Sequence, residues 1–220
     1  MSDMVTVALS KGKLLKPTLD MFRKAGYPNP GIRSDDRRLV YESPEAGLIY
    51  LIVRPSDVPT YVEYGAADVG VAGKDLLLEQ GLDVYEPLDL RIGGCKISVA
   101  ALNGHEGPAR LSSKIRVATK YPHITEQFFN RQGIPVEIIK LYGSIELAPI
   151  VGLADRIVDL VSSGQTLQAN NLVETDVIAW STARLIVNRA SLKMKHTVIS
   201  NLIRQLRKHR PPDSAPKEFQ

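Results

Sequence analysis

Apolar positions along this chain follow two rhythms. Short runs such as "MVTVAL" (4–9), "GLIYLIV" (47–53) and "ADVGVAG" (67–73) are almost unbroken and read as strands. The segments between them carry apolar residues at helical spacing. A helix is expected over about 13–25, with Gly26 as its left-handed cap; another over "DVPTYVEY", with Ser56 as N-cap and Gly65 as its stop; a third over "KDLLLEQ", closed by Gly81. Beyond Gly93 the alternation repeats. "CKISVAAL", "KIRVATK" and "VEIIKLY" read as strands, with a helix over about 122–132 ended by Gly133, and "RIVDLV" runs through a turn into a helix over "TLQANN". "DVIAW" and "ARLIVN" follow as strands. One long amphipathic helix then carries Leu192, Ile199, Leu202, Ile203 and Leu206 at helical spacing. The tail "PPDSAPKEFQ" is proline-rich and charged, and a frayed end is expected there.

Strands alternating with helices define an α/β fold. The stretch "PLDLRIGG" (87–94) reads as a crossover between two lobes, with a return crossing near 174–182. The expected organisation is lobe I from residues 1–92 plus 178–220 and lobe II from 93–177. A ligand cleft is expected where the lobes meet, since sites of such folds concentrate there.

Composition narrows the partners. The chain has 220 residues, a formal charge of +4 and only 6% aromatic residues, and much of the excess charge lies in "KMKHTVISNLIRQLRKHR". A nucleic-acid interface would interleave a basic patch with aromatics, so small anionic ligands fit better. The single cysteine, Cys95, excludes an internal disulfide and reads as a strand hydrophobe, and no Cys/His grouping has metal-site spacing. No signal-like segment opens the chain and no run approaches the roughly 18 apolar residues of a membrane span, so a cytoplasmic protein is expected.

Candidate chemistry gathers where strands end. In "RIVDLVSSGQTL" (156–167) an apolar strand runs into Ser162, Ser163, Gly164, Gln165 and Thr166, which offer amides, hydroxyls and a helix start to an anion. Asp159, three residues earlier, is placed to accept hydrogen bonds from a diol, so loop and acid together describe a ribose 5-phosphate cradle. An ordinary loop capped by Thr166 fits the same short string. Lys11 of "SKGK" follows the first strand and can sit over a polyphosphate or in a solvated turn. Arg37 and Arg38 of "SDDRRL" read first as surface charges. Arg54 emerges directly after "GLIYLIV", at the strand end where ligands bind in open α/β sheets, and guanidinium–phosphate pairs are strong. Gly73 of "GVAGKD" marks either a second amide-lined pocket or a tight turn. Glu146 of "GSIELAP" opens a helix, as a ribose or metal contact or as an exposed carboxylate. The four histidines carry no nucleophile pattern.

The strings "ALSKGKLLKPTLDMF", "RPSDVPTYVEYGAADVGVAGKDLL" and "GSIELAPIVGLADRIVDLVSSGQTLQANNL" closely resemble the ATP phosphoribosyltransferase family, over about residues 4–205. The resemblance implies a two-lobed fold like that of type II periplasmic binding proteins, with the active site in the inter-lobe cleft. It implies a reaction in which ATP and phosphoribosyl pyrophosphate give phosphoribosyl-ATP and pyrophosphate, with Mg²⁺ held mainly by substrate phosphates. The family's phosphoribosyl pyrophosphate loop maps onto Asp159 through Leu167, and its cleft-lining basic residues onto Lys11, Arg37 and Arg54. Where the family usually has serine this chain has Asp36, which weakens the mapping of Arg37. The length resembles the short form, which lacks a C-terminal regulatory domain. That form implies a homodimer alone and a hetero-octamer with a regulatory subunit resembling histidyl-tRNA synthetase. Two other readings compete: a non-catalytic small-molecule binding protein of the same fold, and a phosphoribosyltransferase acting on a free base. The latter enzymes usually place two adjacent acids before the loop, where Leu160 follows Asp159 here.

Overall fold

A computed structural model describes residues 4–105 and 114–212; most of the proline-rich tail expected to fray lies outside them. The chain divides into two units, one built from residues up to Leu77, Gly81–Gly94 and from Thr182 onward, the other from Leu78–Gln80 and Cys95–Ser181.

The first unit carries a six-stranded sheet. Its strands are β1 (Val5–Ser10), β2 (Val40–Ser43), β3 (Leu48–Val53), β4 (Val69–Gly73), β5 (Tyr85–Asp89) and β11 (Ala183–Val187), in the order β2-β3-β1-β4-β11-β5. β1 lies parallel between β3 and β4, while β2 and β11 run antiparallel to their neighbours. Alternation assigns the faces. Val5, Val7 and Leu9 point into a core with Phe22 of α1 (Leu15–Lys24), Tyr50, and Ile199, Leu202 and Leu206 near the chain's end. Ala8 points the other way, toward Val58 and Val62 of α2 (Val58–Glu63). α3 (Lys74–Gln80) follows β4 directly.

The second unit carries β6 (Cys95–Leu102), β7 (Ile115–Thr119), β8 (Val136–Lys140), β9 (Arg156–Val161) and β10 (Leu172–Ser181), in the order β10-β6-β9-β7-β8. β7 lies parallel between β8 and β9. Its helices are α4 (Pro122–Arg131), α5 (Leu147–Ile150) and α6 (Gln165–Ala169). Each unit therefore has a strand, β1 or β7, from which the chain goes first to one side and then returns on the other. Loops leaving the carboxyl ends diverge at such a switch point and leave a crevice above the sheet.

Four local expectations differ from the structure, each for a physical reason. β2 was hidden because Arg37 and Arg38 precede it and alternate residues of "VYES" face solvent, as an edge strand allows. β5 overlaps the stretch expected as a crossover, and its Pro87 costs no ladder bond because β5 is an edge strand. Ser56 does not cap α2: it sits inside a 3-10 turn over Pro55–Asp57 and bonds the Asp57 carboxylate at 2.8 Å. The long last helix is two, α7 (Arg189–Met194) and α8 (His196–His209), broken at Lys195.

That break has a use. Lys195 Nζ donates to Asp68 Oδ2 at 2.7 Å and to the Met4 carbonyl at 2.8 Å, and Asp68 Oδ2 also accepts the Thr6 N–H at 2.8 Å. Asp68 is buried, so its charge depends on this partner. We expect Lys195→Met to lower stability by about 1–3 kcal/mol, the scale for stranding a buried acceptor whose partner is partly exposed. Urea unfolding checks this, and a midpoint equal to that of the parent would contradict it.

Candidate functional site

In the first unit the positive groups meet because parallel strands end level. Ser10 pairs with Val53, so Lys11 and Arg54 leave the sheet side by side, and the Lys11 N–H donates to the Val53 carbonyl at 3.3 Å. Lys11 Nζ donates to the Asp36 carbonyl at 2.9 Å, which fastens the segment carrying Arg37 to the same end of the sheet. The Ile52 N–H to Leu39 carbonyl bond, 2.8 Å, holds its other side. Among the described residues, Lys11, Arg37 and Arg54 meet no carboxylate, and all three are exposed. Arg38 is different: its guanidinium pairs with Asp36 at 2.9 Å and lies 4.7 Å from the centre of the Tyr41 ring.

The departure at position 36 thus has a visible effect. The Arg38 N–H and guanidinium, with the Tyr41 hydroxyl, hold the Asp36 carboxyl well below the usual carboxylate range. Asp36 fixes the neighbouring arginine and leaves Arg37 uncommitted.

Gly73 closes β4, the strand on the far side of β1, and is the residue before α3. A Cβ there would stand 2.2 Å from Asp75 Oδ1, so the acid folds back over the glycine and no larger residue fits without displacing it.

In the second unit β9 ends at Val161 and the chain turns through Ser162, Ser163 and Gly164 into α6. Gly164 has φ +76°, a conformation that suits glycine and turns successive N–H groups toward one side. Among the described residues the N–H groups of Gly164, Thr166 and Leu167 meet no protein acceptor, and the Gln165 N–H has only a long 3.5 Å contact to Ser163 Oγ. α6 spans just five residues and Thr166 lies inside it, so neither a long helix dipole nor a Thr166 cap explains the loop. What the loop offers an anion is its local N–H groups, with the exposed hydroxyls of Ser162, Ser163 and Thr166 beside them.

Leu167 is buried against Ile145, Ala148, Ile157 and Val161, so one apolar cluster anchors the loop, β9 and the start of α5 together. Glu146 stands between Ile145 and α5, and its side chain caps no backbone N–H. Asp159 is half-buried on β9 and accepts the Leu160 N–H at 2.9 Å. The structure therefore brings Asp159, Glu146 and residues 162–167 into one neighbourhood, and Lys11, Arg37, Arg54 and Gly73 into another at the strand ends of the first unit.

One cation at a strand end was passed over in the sequence. Lys120 follows β7 directly, as Arg54 follows β3, and the pairing of Thr119 with Val158 sets it beside β9. The signal was present in "VATK", read there as the end of a strand.

A loop of open N–H groups on one mixed sheet, with cations that meet no carboxylate among the described residues at the strand ends of another, is the arrangement of an α/β protein with room for an anionic ligand. Comparison with known proteins makes this specific. The family model "HisG: ATP phosphoribosyltransferase" matches residues 54–208. The ATP phosphoribosyltransferase of Syntrophotalea carbinolica is 56% identical over 209 residues, 94% of this chain and 95% of that protein. That of Bacillus licheniformis is 51% identical over 204 residues, 92% of this chain and 93% of the relative. Among solved structures, the ATP phosphoribosyl transferase (HisG:HisZ) complex from Thermotoga maritima superposes with a TM-score of 0.81 at 32% identity, covering 93% of this chain and 98% of that one. The chain belongs to the ATP phosphoribosyltransferase family, pentosyltransferases of the first step of histidine biosynthesis. Enzymes of this family need metal ions.

A pH prediction follows from Asp36. Its folded pKa is depressed, so its stabilising contribution is complete above the unfolded value of about 3.9 and is lost as pH falls through the folded value. We expect Asp36→Asn to melt below the parent at neutral pH and the gap to narrow steadily in acid below about pH 4. A gap that stays constant down to the acid limit would contradict the assignment.

Proposed function

We propose that this chain joins N1 of the adenine of ATP to C1 of the ribosyl group of phosphoribosyl pyrophosphate, with the roles divided between two sets of residues. The N1 lone pair forms the new bond, and the C1–oxygen bond breaks with its electrons leaving on pyrophosphate. N1 carries no proton at neutral pH, so no strong general base is needed. The task is to position two polyanions and to meet charge as it moves.

In this reading residues 162–167 hold the 5-phosphate through backbone N–H groups and hydroxyls. Asp159 accepts hydrogen bonds from the ribose hydroxyls, with Glu146 as a second carboxylate beside it. Lys11, Arg37 and Arg54 neutralise the ATP phosphates and the departing pyrophosphate, and the main chain at Gly73 lines the nucleotide. The observation that carries the reading is the set of uncommitted N–H groups at the carboxyl end of β9, with an acid three residues before them.

Magnesium is the ion we assign. Among the described residues no three His, Cys, Asp or Glu side chains group to hold a metal. A hard cation that keeps its waters and binds one or two carboxylates plus substrate phosphates suits such a set, and Asp159 and Glu146 are the carboxylates at hand. When bound it offsets charge on the pyrophosphate oxygens.

The Thermotoga maritima relative was solved as a HisG:HisZ complex. On that support we assign this chain a regulatory partner of the same kind, resembling histidyl-tRNA synthetase, in a hetero-octamer, and a homodimer when alone. Short-form behaviour and a cytoplasmic location belong to the same reading; no described helix is long and apolar enough to cross a membrane.

The purified chain with ATP, phosphoribosyl pyrophosphate and Mg²⁺ should yield phosphoribosyl-ATP by chromatography, whether or not histidine is present. No product even with the regulatory partner would overturn the reading. Arg54→Ala should lower turnover by about 10- to 1,000-fold, the range for one preorganised charge contact; kinetics equal to the parent would remove Arg54 from the mechanism.

A further inference from the structure

The loop after β9 offers a phosphate only neutral donors. Residues 162–167 contain no cation, and a dianion taken out of water against neutral groups alone is poorly compensated. Two lysines flank the carboxyl end of β9 on the neighbouring strands, and they are in opposite states.

On one side is Lys96 of β6, paired opposite Val161. Its ammonium is spent: Nζ donates to Glu174 Oε1 at 2.5 Å and lies 5.8 Å from the centre of the Trp180 ring. On the other side is Lys120. It is exposed, and among the described residues its ammonium makes no hydrogen bond or ion pair.

The backbone around Lys120 is nonetheless tightly held. Buried Thr119 donates through Oγ1 to the Val158 carbonyl at 2.8 Å and accepts the Tyr121 N–H at 2.9 Å. Thr125 Oγ1 donates to the Tyr121 carbonyl at 2.7 Å, which closes the turn from the α4 side. These bonds lie on both sides of position 120 and lock the end of β7 to β9 at the residue before Asp159. Continuing the register of Thr119 with Val158 by one residue sets Lys120 level with Asp159 on the next strand, about 5 Å away. Ser162 lies three residues further along, about 10 Å at the rise of a strand, and a lysine stem spans more than half of that. A pinned backbone carrying an unpaired, flexible point charge is the arrangement that binds a phosphate rather than one that holds a fold.

We propose that Lys120 is the cation of the sugar-phosphate site, binding the phosphate groups of phosphoribosyl pyrophosphate that the loop after β9 and Asp159 orient. The inference rests on the function proposed above and adds to it the cation that residues 162–167 themselves lack. Lys120 is a binding residue here, with no proton to transfer. Its effect should fall on phosphoribosyl pyrophosphate and spare ATP.

The test is calorimetric titration of phosphoribosyl pyrophosphate with Mg²⁺ into the full chain, together with separate KM values for the two substrates, for the parent, Lys120→Ala, Lys120→Arg and Lys140→Ala. Lys140 ends β8 with its ammonium over the Tyr142 ring and serves as the charge control. We expect Lys120→Ala to weaken phosphoribosyl pyrophosphate binding about 10- to 100-fold, the range for a hydrogen bond to a charged group. KM for ATP should stay within about twofold, Lys120→Arg should recover most of the loss, and Lys140→Ala should match the parent. Lys120→Gln, which keeps a polar stem, takes the place of the alanine variant if the latter does not fold. Binding within twofold of the parent, equal losses for both substrates, or no recovery by arginine would overturn the assignment of Lys120 while leaving the proposed function standing. A parent chain that neither binds phosphoribosyl pyrophosphate nor forms product would instead overturn the proposed function, and the inference with it.

Discussion

Everything this protein presents to a ligand depends on parallel strands ending level. Parallel pairing is maintained only where both faces of the sheet are covered, and the covering here is apolar: Val5, Val7 and Leu9 on one face of β1, Ala8 on the other. Once Ser10 is in register with Val53, the residues that follow have no freedom to be far apart. The same holds in the second unit, where Thr119 with Val158 decides what stands beside the end of β9 and the loop that leaves it. Placement of charge is thus inherited from burial of hydrocarbon several residues away. A substitution that slipped the register of β1 by one residue would also exchange its two buried faces, setting Val7 and Leu9 on the side where small Ala8 packs against α2, so the geometry of the site is protected by the stability of the sheet.

In the proposed function the two units meet anions by different means. The loop after β9 uses fixed neutral donors, which give direction and a tight fit at little cost in stability when empty, because exposed N–H groups are hydrated. The strand ends of the first unit use side-chain charges, which act over longer range and tolerate a ligand whose charge shifts position. Asp36 illustrates how such charges are kept available: it satisfies Arg38 and, through its carbonyl, steadies Lys11, while Arg37 meets no carboxylate among the described residues. An acid within a basic cluster need not quench it when the pairing is selective.

Much of this was legible in the sequence, and the limits were physical. Buried inner strands announce themselves by unbroken apolar runs, so β1, β3, β4, β6 and β9 were readable. Edge strands are half polar, and β2, beside two arginines, and β5, with a proline that an edge tolerates, were not read. The turn after β9 was readable because glycine and hydroxyl residues directly after an apolar run break a strand, though the helix that follows it is too short to contribute a dipole. Periodicity joins α7 to α8 because Leu192 and Ile199 keep helical spacing across the break; the break falls at Lys195, whose partner Asp68 is 127 residues away in the chain and leaves no local signal. Lys120 left only the weak signal of a lysine directly after an apolar strand, and its meaning comes from the strand it lies beside.

The bond from Lys195 to Asp68 and Met4 also bears on how the molecule is made. The sheet of the second unit is drawn wholly from residues 95–181, so a ribosome can deliver it in one continuous piece. The first unit cannot finish at that stage. One edge of β4 awaits β11, Asp68 is without its counter-charge, and the core above β1 lacks Ile199, Leu202 and Leu206. During synthesis the earlier half of the chain must therefore persist with an open strand edge and an uncovered apolar face until nearly the last residues emerge, the condition in which nascent chains most need a chaperone.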